Sequence, residues 1–254
     1  MRMRSHEAWG RWMIFLSILV GTLAGIAASP AFQIERVVIV GPDPSIATEI
    51  AQKMKLPKRA TTVILPLATI DQLAKQCHRV ESLVVRRRLP NTLVLHVRPR
   101  RPVAAIAGDV NDTLVDRDGI YLLRTSKARD VPRVVGLIEK RPALGNRLSK
   151  QQTEMLHELL EGLELASAEH GVTLDVSNPH LIRIHTGDGV VGKLGTGENL
   201  TRKIVLFYRL LEGLRDQGES VQYIDVRREE YPVWKSTETD GRHDFDGMKY
   251  ARLH

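Results

Sequence analysis

A chain of 254 residues, 43% hydrophobic and 26% charged, holds enough apolar material for one or two folded domains and is not a disordered polymer. Its one cysteine, Cys77, excludes an intrachain disulfide, so stability must come from packing. The formal net charge of +7 suits nucleic acid, but equally lipid phosphates and anionic envelope polymers, and charge alone does not choose among them.

Arg2, Arg4 and Arg11 precede an uncharged run from Trp12 to Ala28. As a helix, those seventeen residues would span ~26 Å, near the hydrocarbon thickness of a bilayer. The expectation is a cytoplasmic tail over residues 1–11 and a single transmembrane helix over 12–29, with Trp9 and Trp12 as interfacial anchors and the remainder outside the cytoplasm. A cleaved signal peptide is the competing reading, since Ala27, Ala28 and Ser29 offer a small-residue cut ahead of Pro30. The apolar run exceeds the usual core of such signals, about 7–15 residues, which favours retention. Either way the bulk is extracytoplasmic.

Residues 34–40, IERVVIV, are β-branched and end at Gly41-Pro42, the pattern of a strand running into a turn. Asp43 then Pro44 reads as an N-cap with proline at the first helical position, and Ile46, Ile50 and Met54 repeat along one face. Thr69 with Gln72 reads as a capping box for a second helix, with Ile70, Leu73, Ala74 and Cys77 inward. Two strands follow, joined at Leu89-Pro90-Asn91-Thr92; in the second, Leu93, Leu95 and Val97 share one face. The order β-α-α-β-β implies a mixed three-stranded sheet with two helices on one face.

From Val103 the texture shifts to shorter strands. Residues 104–107, a hairpin at 113–122 turning through Arg117-Asp118-Gly119, and an extended piece at 131–136 come first. Ser149 with Gln152 caps a helix whose Met155, Leu156, Leu159, Leu160 and Leu163 form a broad apolar stripe. Strands at 172–176, 181–185 and 190–194 lead to a second helix over 198–217, stopped by Gly218, and then to a last strand at 221–227. Residues 235–254 are polar and aperiodic, the pattern of a mobile tail.

Few motifs suggest chemistry. Gly192-Lys193-Leu194-Gly195-Thr196-Gly197 precedes a helix, but it lacks the P-loop ending and places Glu198 where a phosphate would sit, so a strand-to-helix turn is the better reading. His243, Asp244 and Asp246 lie in the aperiodic tail without a rigid frame for a metal. Gly-x-Ser-x-Gly, His-Glu-x-x-His and Cys-x-x-Cys are absent, so neither a catalytic residue, a metal site nor a cofactor is expected. Arg86, Arg87 and Arg88, with Arg98, Arg100 and Arg101, form a dense cluster. It is either a solvated rim or a contact for lipid headgroups or an acidic partner, and the lack of interleaved aromatics disfavours nucleic acid. The last strand is either an edge open to strand addition or one paired inside the sheet.

The segment VESLVVRRRLPNTLVLHVRPRRPVAAI, then TLVDRDGIYL, VPRVVGL, KLGTGENLTRKIVLFYRLL and YIDVR, in that order behind a short tail and one apolar run, resembles the bacterial cell-division family FtsQ/DivIB over roughly residues 32–234. The resemblance implies an α+β chain: an N-terminal transmembrane helix, a POTRA domain (β-α-α-β-β) over 32–101, a β-rich domain with two helices over 102–234, and the tail at 235–254. It implies a non-enzymatic divisome scaffold at the septum, binding FtsB- and FtsL-like proteins, with FtsK contacted through the POTRA region, and neither nucleic acid nor a small-molecule substrate. In the family the FtsB partner pairs beside the terminal strand, which assigns Val221, Tyr223, Ile224, Asp225, Arg227 and Trp234 to partner binding, with Val84, Arg86 and Arg88 as the POTRA interaction face. Arg228 stands where members often carry an aromatic. Two other classes remain: a POTRA-containing polypeptide-handling or secretion factor, which would usually carry tandem POTRA units, and an envelope hydrolase, which would need a catalytic constellation.

Overall fold

The computed structural model describes residues 5–27, 29–41, 43–54, 60–63, 65, 72, 76–126, 128, 130–138, 142–168, 171–237 and 249–250. They fall into two compact units, Met1–Arg100 and Arg101–His254.

The first unit begins with helix α1 (Ser5–Ala27). Its described side chains over residues 12–26 are exposed on every face. The span expected over residues 12–29 is not borne out as such, because no helix among the described residues is long and apolar enough to cross a membrane.

Beyond a short 3-10 turn (Pro30–Phe32) come β1 (Arg36–Val40), α2 (Pro44–Lys53), β2 (Val80–Arg88) and β3 (Thr92–Pro99). The sheet order is β1-β3-β2, with β1 parallel and β2 antiparallel to β3, as the mixed three-stranded sheet required. Alternation places Leu93 and Leu95 of β3 inward, both fully buried, against Ile46 and Ile50 of α2 and against Val80 and Cys77. Asp43 caps α2 by accepting a 2.8 Å hydrogen bond from the Ser45 N–H, with Pro44 in the first turn. The Arg79 guanidinium donates to the Asp43 carboxylate at 2.9 Å, tying the entry of β2 to the start of α2. Thr69, Ile70, Leu73 and Ala74 of the expected second helix lie outside the described residues.

The second unit is built on a ten-stranded sheet of order β13-β12-β11-β10-β9-β8-β7-β4-β5-β6. Its strands are β4 (Pro102–Ile106), β5 (Asp112–Asp116), β6 (Tyr121–Thr125), β7 (Arg133–Val135), β8 (Thr173–Asp175), β9 (Ile182–His185), β10 (Val191–Gly195), β11 (Val221–Asp225), β12 (Val233–Ser236) and β13 (Lys249–Tyr250). Helix α3 (Lys150–Leu165) separates β7 from β8, and α4 (Leu200–Asp216) separates β10 from β11. The two crossover connections explain why β7 and β8, and likewise β10 and β11, pair in parallel. Ser149 and Gln152 close a full capping box at the start of α3, each side chain bonding the other residue's backbone N–H.

Leu156 and Leu159 of α3, Phe207 of α4, and Ile182, Ile184 and Leu194 of the sheet are all fully buried in one core. Close approach is built in twice. A Cβ on Gly162 of α3 would stand 3.0 Å from the Ile204 side chain of α4, and one on Gly192 of β10 would meet Phe207 at 2.7 Å and Ile184 at 2.4 Å.

Two expectations need correcting. The strand at 221–227 is shorter, Val221–Asp225, and of the two readings left open for it the paired one holds: β11 lies between β10 and β12, with Ile224 opposite Trp234 and Asp225 opposite Val233. Residues 235–254 are not wholly aperiodic either, since Lys235 and Ser236 finish β12, and Lys249–Tyr250 pairs with Trp234 and Val233. Both additions are short strands stabilised by long-range pairing, which a local pattern does not encode.

Because Phe207 fills the space where a Gly192 side chain would stand, Gly192→Ala should lift α4 from the sheet and cost about 1–3 kcal/mol, the usual range for overpacking. Urea denaturation, set beside a control such as Gly213→Ala, where a Cβ has nothing within 4 Å, measures it.

Candidate partner-binding surfaces

At its C-terminal end the ten-stranded sheet presents two faces of opposite character. The face bearing α4 takes Gly192 and Ile224, which are paired in register, and Ile224 is fully buried. Ile224, a partner-binding candidate from the sequence, therefore belongs to the core. Pleating sends its neighbours Tyr223 and Asp225 to the opposite face. Cross-strand register there lines up Thr173, His185, Val191, Tyr223 and Lys235 in one row, and Asp175, Arg183, Lys193, Asp225 and Val233 in the next.

Those rows are knit by charge. The Lys193 ammonium sits 3.6 Å from the centroid of the Tyr223 ring, a cation–π contact across the β10–β11 pair. Burial pushes the Asp175 carboxyl up, but hydrogen bonds from Ser177 with the nearby charges of Arg183 and His185 bring it below its ordinary value. Asp225 accepts from the Arg227 backbone N–H at 3.1 Å, and from the Arg227 Nε and Nη2 at 2.9 and 2.6 Å. This forked pair closes the turn leaving β11 and raises the guanidinium further above its usual range. Gly195, at φ +78°, lets Arg227 lie close, since a Cβ there would stand 3.0 Å from its Cγ. Arg227 is thus held in place, while its neighbour Arg228 stays exposed.

Val221 and Trp234 are half-buried against the core at the two ends of the β11–β12 pair, and the buried indole N–H of Trp234 has no acceptor among the described residues. Of the six residues singled out at this end, the sheet gathers Tyr223 and Asp225 on one face, Arg227 beside them in the turn, and Trp234 on the adjoining strand. The sequence reading missed that Lys193 belongs with them. It also missed β12, for which Val233-Trp234 after Pro232 was the available signal.

In the first unit, β2 is an edge of its sheet, and Val84, Arg86 and Arg88 project from it, exposed. The middle arginine has another job: Arg87 Nη1 donates to the Val63 carbonyl at 2.8 Å and Nη2 to the Leu65 carbonyl at 3.0 Å, clamping that segment to the sheet. Arg98 faces Glu81 at 3.1 Å, both largely solvated, a pair of little energetic weight. The run Arg86-Arg87-Arg88 therefore divides into a structural residue and two cations directed at solvent.

A cavity of about 330 Å³ lies beside α3, lined among others by Val131, Leu160, Leu163, Arg117, His157 and Glu161. The His157 Nε2 sits 2.5 Å from the Arg117 carbonyl oxygen and is engaged there. The sequence candidates for a metal, His243, Asp244 and Asp246, lie outside the described residues.

Residues 104–227 match the family model described as cell division protein FtsQ/DivIB, C-terminal. The cell division protein FtsQ of Koribacter versatilis (strain Ellin345) is 28% identical over 171 residues, 62% of this chain and 48% of the relative, so the chain spans about half the length of that protein. Among solved structures, the major extracytoplasmic domain of the trans isomer of the bacterial cell division protein DivIB from Geobacillus stearothermophilus aligns at 15% identity, covering 47% of this chain and 97% of that one, with a TM-score of 0.31.

The division of labour among the arginines is measurable. Arg87→Ala removes two charge-assisted hydrogen bonds at the domain surface and should destabilise the first unit by about 1–2 kcal/mol, whereas Arg86→Glu with Arg88→Glu should stay within about 0.5 kcal/mol. Urea titrations followed by amide exchange in β2 and β3 separate the two.

Proposed function

The chain belongs, through residues 104–227, to the FtsQ/DivIB cell-division family, and from that premise we propose that it is a non-enzymatic scaffold of the division machinery, recruiting an FtsB/FtsL-like pair outside the cytoplasmic membrane at the septum. The observation that carries this reading is the β11–β12 end of the sheet. There Tyr223 and Asp225 share one face with Arg227 in the turn beside them, Trp234 lies opposite Ile224 on the adjoining β12, and among the described residues the outer side of β12 carries Lys249 and Tyr250. An extended partner segment laid antiparallel along β12 gains backbone hydrogen bonds, and the side chains around it choose the sequence. Tyr223 with its Lys193 lid, and Trp234, supply amphipathic contact area of the kind that dominates interfaces. Arg228, exposed beside the paired Arg227, gives the surface a free cation for an acidic group on the partner.

The first unit takes the POTRA role in this reading. The exposed Val84, Arg86 and Arg88 on the β2 edge suit a second protein, such as an FtsK-like one, or anionic headgroups. Helix α1 serves as the membrane-associating element. Its described side chains over residues 12–26 are largely apolar and exposed, a surface suited to lipid rather than to water.

Three measurements test this. A fluorescent fusion should concentrate at midcell in dividing cells; uniform labelling rejects a division role. Tyr223→Ala and Trp234→Ala should each weaken binding of the FtsB-like extracytoplasmic segment by ~2 kcal/mol, read by calorimetry on variants whose circular dichroism matches the parent, and affinities within twofold of the parent for both reject this surface. Carbonate extraction and protease protection of intact cells should find the chain membrane-bound and its bulk outside, and release into the soluble fraction removes α1 from the reading.

A further inference from the structure

Pleating gives the three-stranded sheet of the first unit two different faces. Leu93 and Leu95 of β3 are buried with Ile46 and Ile50 of α2, so Val94 and His96 point to the opposite side. Register lines up Val38, Val94 and Arg86 in one row of that second face, and Val40, His96 and Val84 in the next. Arg36 and Arg88, both paired with Thr92, stand at one end of it, and Arg98, paired with Ser82, at the other. The middle of the face is apolar and open: Val38 is 39% exposed, Val40 44% and Val84 56%. Its border is cationic. Arg36, Arg86 and Arg88 are exposed, and none has an ion pair among the described residues. The described acids beside these strands are engaged, Glu81 with Arg98 at 3.1 Å and Glu35 as acceptor of the Asn91 side-chain amide at 2.8 Å.

Resting on α1 as the membrane-associating element, we infer that this face docks the first unit onto an anionic phospholipid surface, with Arg36, Arg86 and Arg88 on headgroup phosphates and Val38, Val40 and Val84 among the headgroups. Charge complementarity comes first: three guanidinium groups without acidic partners among the described residues share one face, and each can fork onto a phosphate. Apolar side chains between them are the second reason. A sheet open to water on one side ordinarily carries polar residues there, whereas exposed valines framed by polar groups mark a contact surface. The third is distance. From Ala27, the last residue of α1, nine residues lead to Arg36 and reach no more than ~30 Å, so the face is leashed to the lipid that holds α1. A leash of that length gives the second contact a high effective concentration, and three weak attractions then suffice to hold the sheet against the surface. Arg87 takes no part, because it turns to the other face and is held by the Val63 and Leu65 carbonyls. Helix α2 lies on the far side of the sheet, away from the lipid.

The test uses the full chain with vesicles of phosphatidylcholine alone, or of two parts phosphatidylcholine to one part phosphatidylglycerol, each doped with a lipid spin-labelled at its headgroup. Cys77 is buried, so a thiol-reactive fluorophore is directed to Ser82→Cys on the open face or to Gln52→Cys on the exposed side of α2. Flotation reads α1, and quenching reads the face. The inference expects both labelled chains to float with both vesicle types, and quenching at position 82 to be about threefold stronger on the phosphatidylglycerol vesicles, with no such gain at position 52. Arg36→Glu, Arg86→Glu and Arg88→Glu together, or roughly 0.5 M sodium chloride on the parent, should remove the gain while flotation persists. Circular dichroism of the reversed chain is matched to the parent, and the salt series needs no charge reversal at all. Flotation with both vesicle types but equal quenching at position 82 overturns the face, keeps α1 in place and leaves the arginines to a protein partner. An equal gain at positions 82 and 52, or a gain that survives both reversal and salt, also overturns it. Flotation with the phosphatidylglycerol vesicles alone, lost on reversal, upholds the face and removes α1 from the membrane, and flotation with neither overturns both.

Discussion

The seating of α4 on the sheet through Gly192 is the constraint on which the rest of the second unit depends. Phe207 is fully buried, and it occupies the space that any side chain on Gly192 would need, so the helix axis is drawn close above β10. That contact fixes where α4 ends, and Gly218, at φ +76°, turns the chain back so that β11 returns parallel to β10. Val191, Gly192 and Lys193 then pair with Tyr223, Ile224 and Asp225, and this register alone decides that Ile224 goes to the core while Tyr223 and Asp225 go to the far face. A slip of one residue would reverse all three. The face carrying Tyr223 and Asp225 is thus positioned from below, by a core contact.

Local signals were the legible part. The Asp43 cap, the capping box from Ser149 to Gln152 and the glycine stop at Gly218 depend on residues within one turn of each other, and each appears where the sequence indicates. The alternation of Leu93 and Leu95 gave the inward face of β3 for the same reason. What the sequence left open was strand neighbourhood. Whether 221–227 ended the sheet depended on Val233–Ser236, a four-residue strand after Pro232 with no alternation long enough to distinguish it from a tail. The arginine run shows the same limit: Arg86, Arg87 and Arg88 look alike in sequence, and only the carbonyls of Val63 and Leu65 single out Arg87.

Charge pairing narrows what a net charge of +7 means. Arg79, Arg133 and Arg215 meet Asp43, Asp112 and Asp188, and Arg227 is forked onto Asp225. Asp188 lies below its ordinary range because the Thr186 hydroxyl and then Arg215 bond its charged form, outweighing burial. A depressed carboxylate stabilises the fold above its unfolded pKa and loses that contribution as pH falls through the folded value. Such pairs hold loops to helices and strands, and a cation spent this way offers little to a polyanion. Arg86 and Arg88 in the first unit and Arg228 in the second are among the cations that remain exposed.

Under the proposed function, strand addition at β12 would draw its selectivity from side chains, because the backbone it offers is short. Four residues of ladder give the same hydrogen bonds to any extended segment, and each cross-strand pair discriminates by only ~0.2–1 kcal/mol. Discrimination of several kcal/mol therefore requires anchors beyond the ladder. Trp234 is on β12 itself with its indole N–H unbonded, Tyr223 lies one strand in, opposite Lys235, and the Asp225–Arg227 fork fixes the turn at the foot of the pair. Only Trp234 belongs to the strand that a partner would touch with its backbone; the others are reached only by side chains or by a segment that continues past the ladder toward Arg228. A partner that ended with the strand would leave those groups unused, so the geometry favours one whose extended piece is joined to a further element crossing the β11 turn.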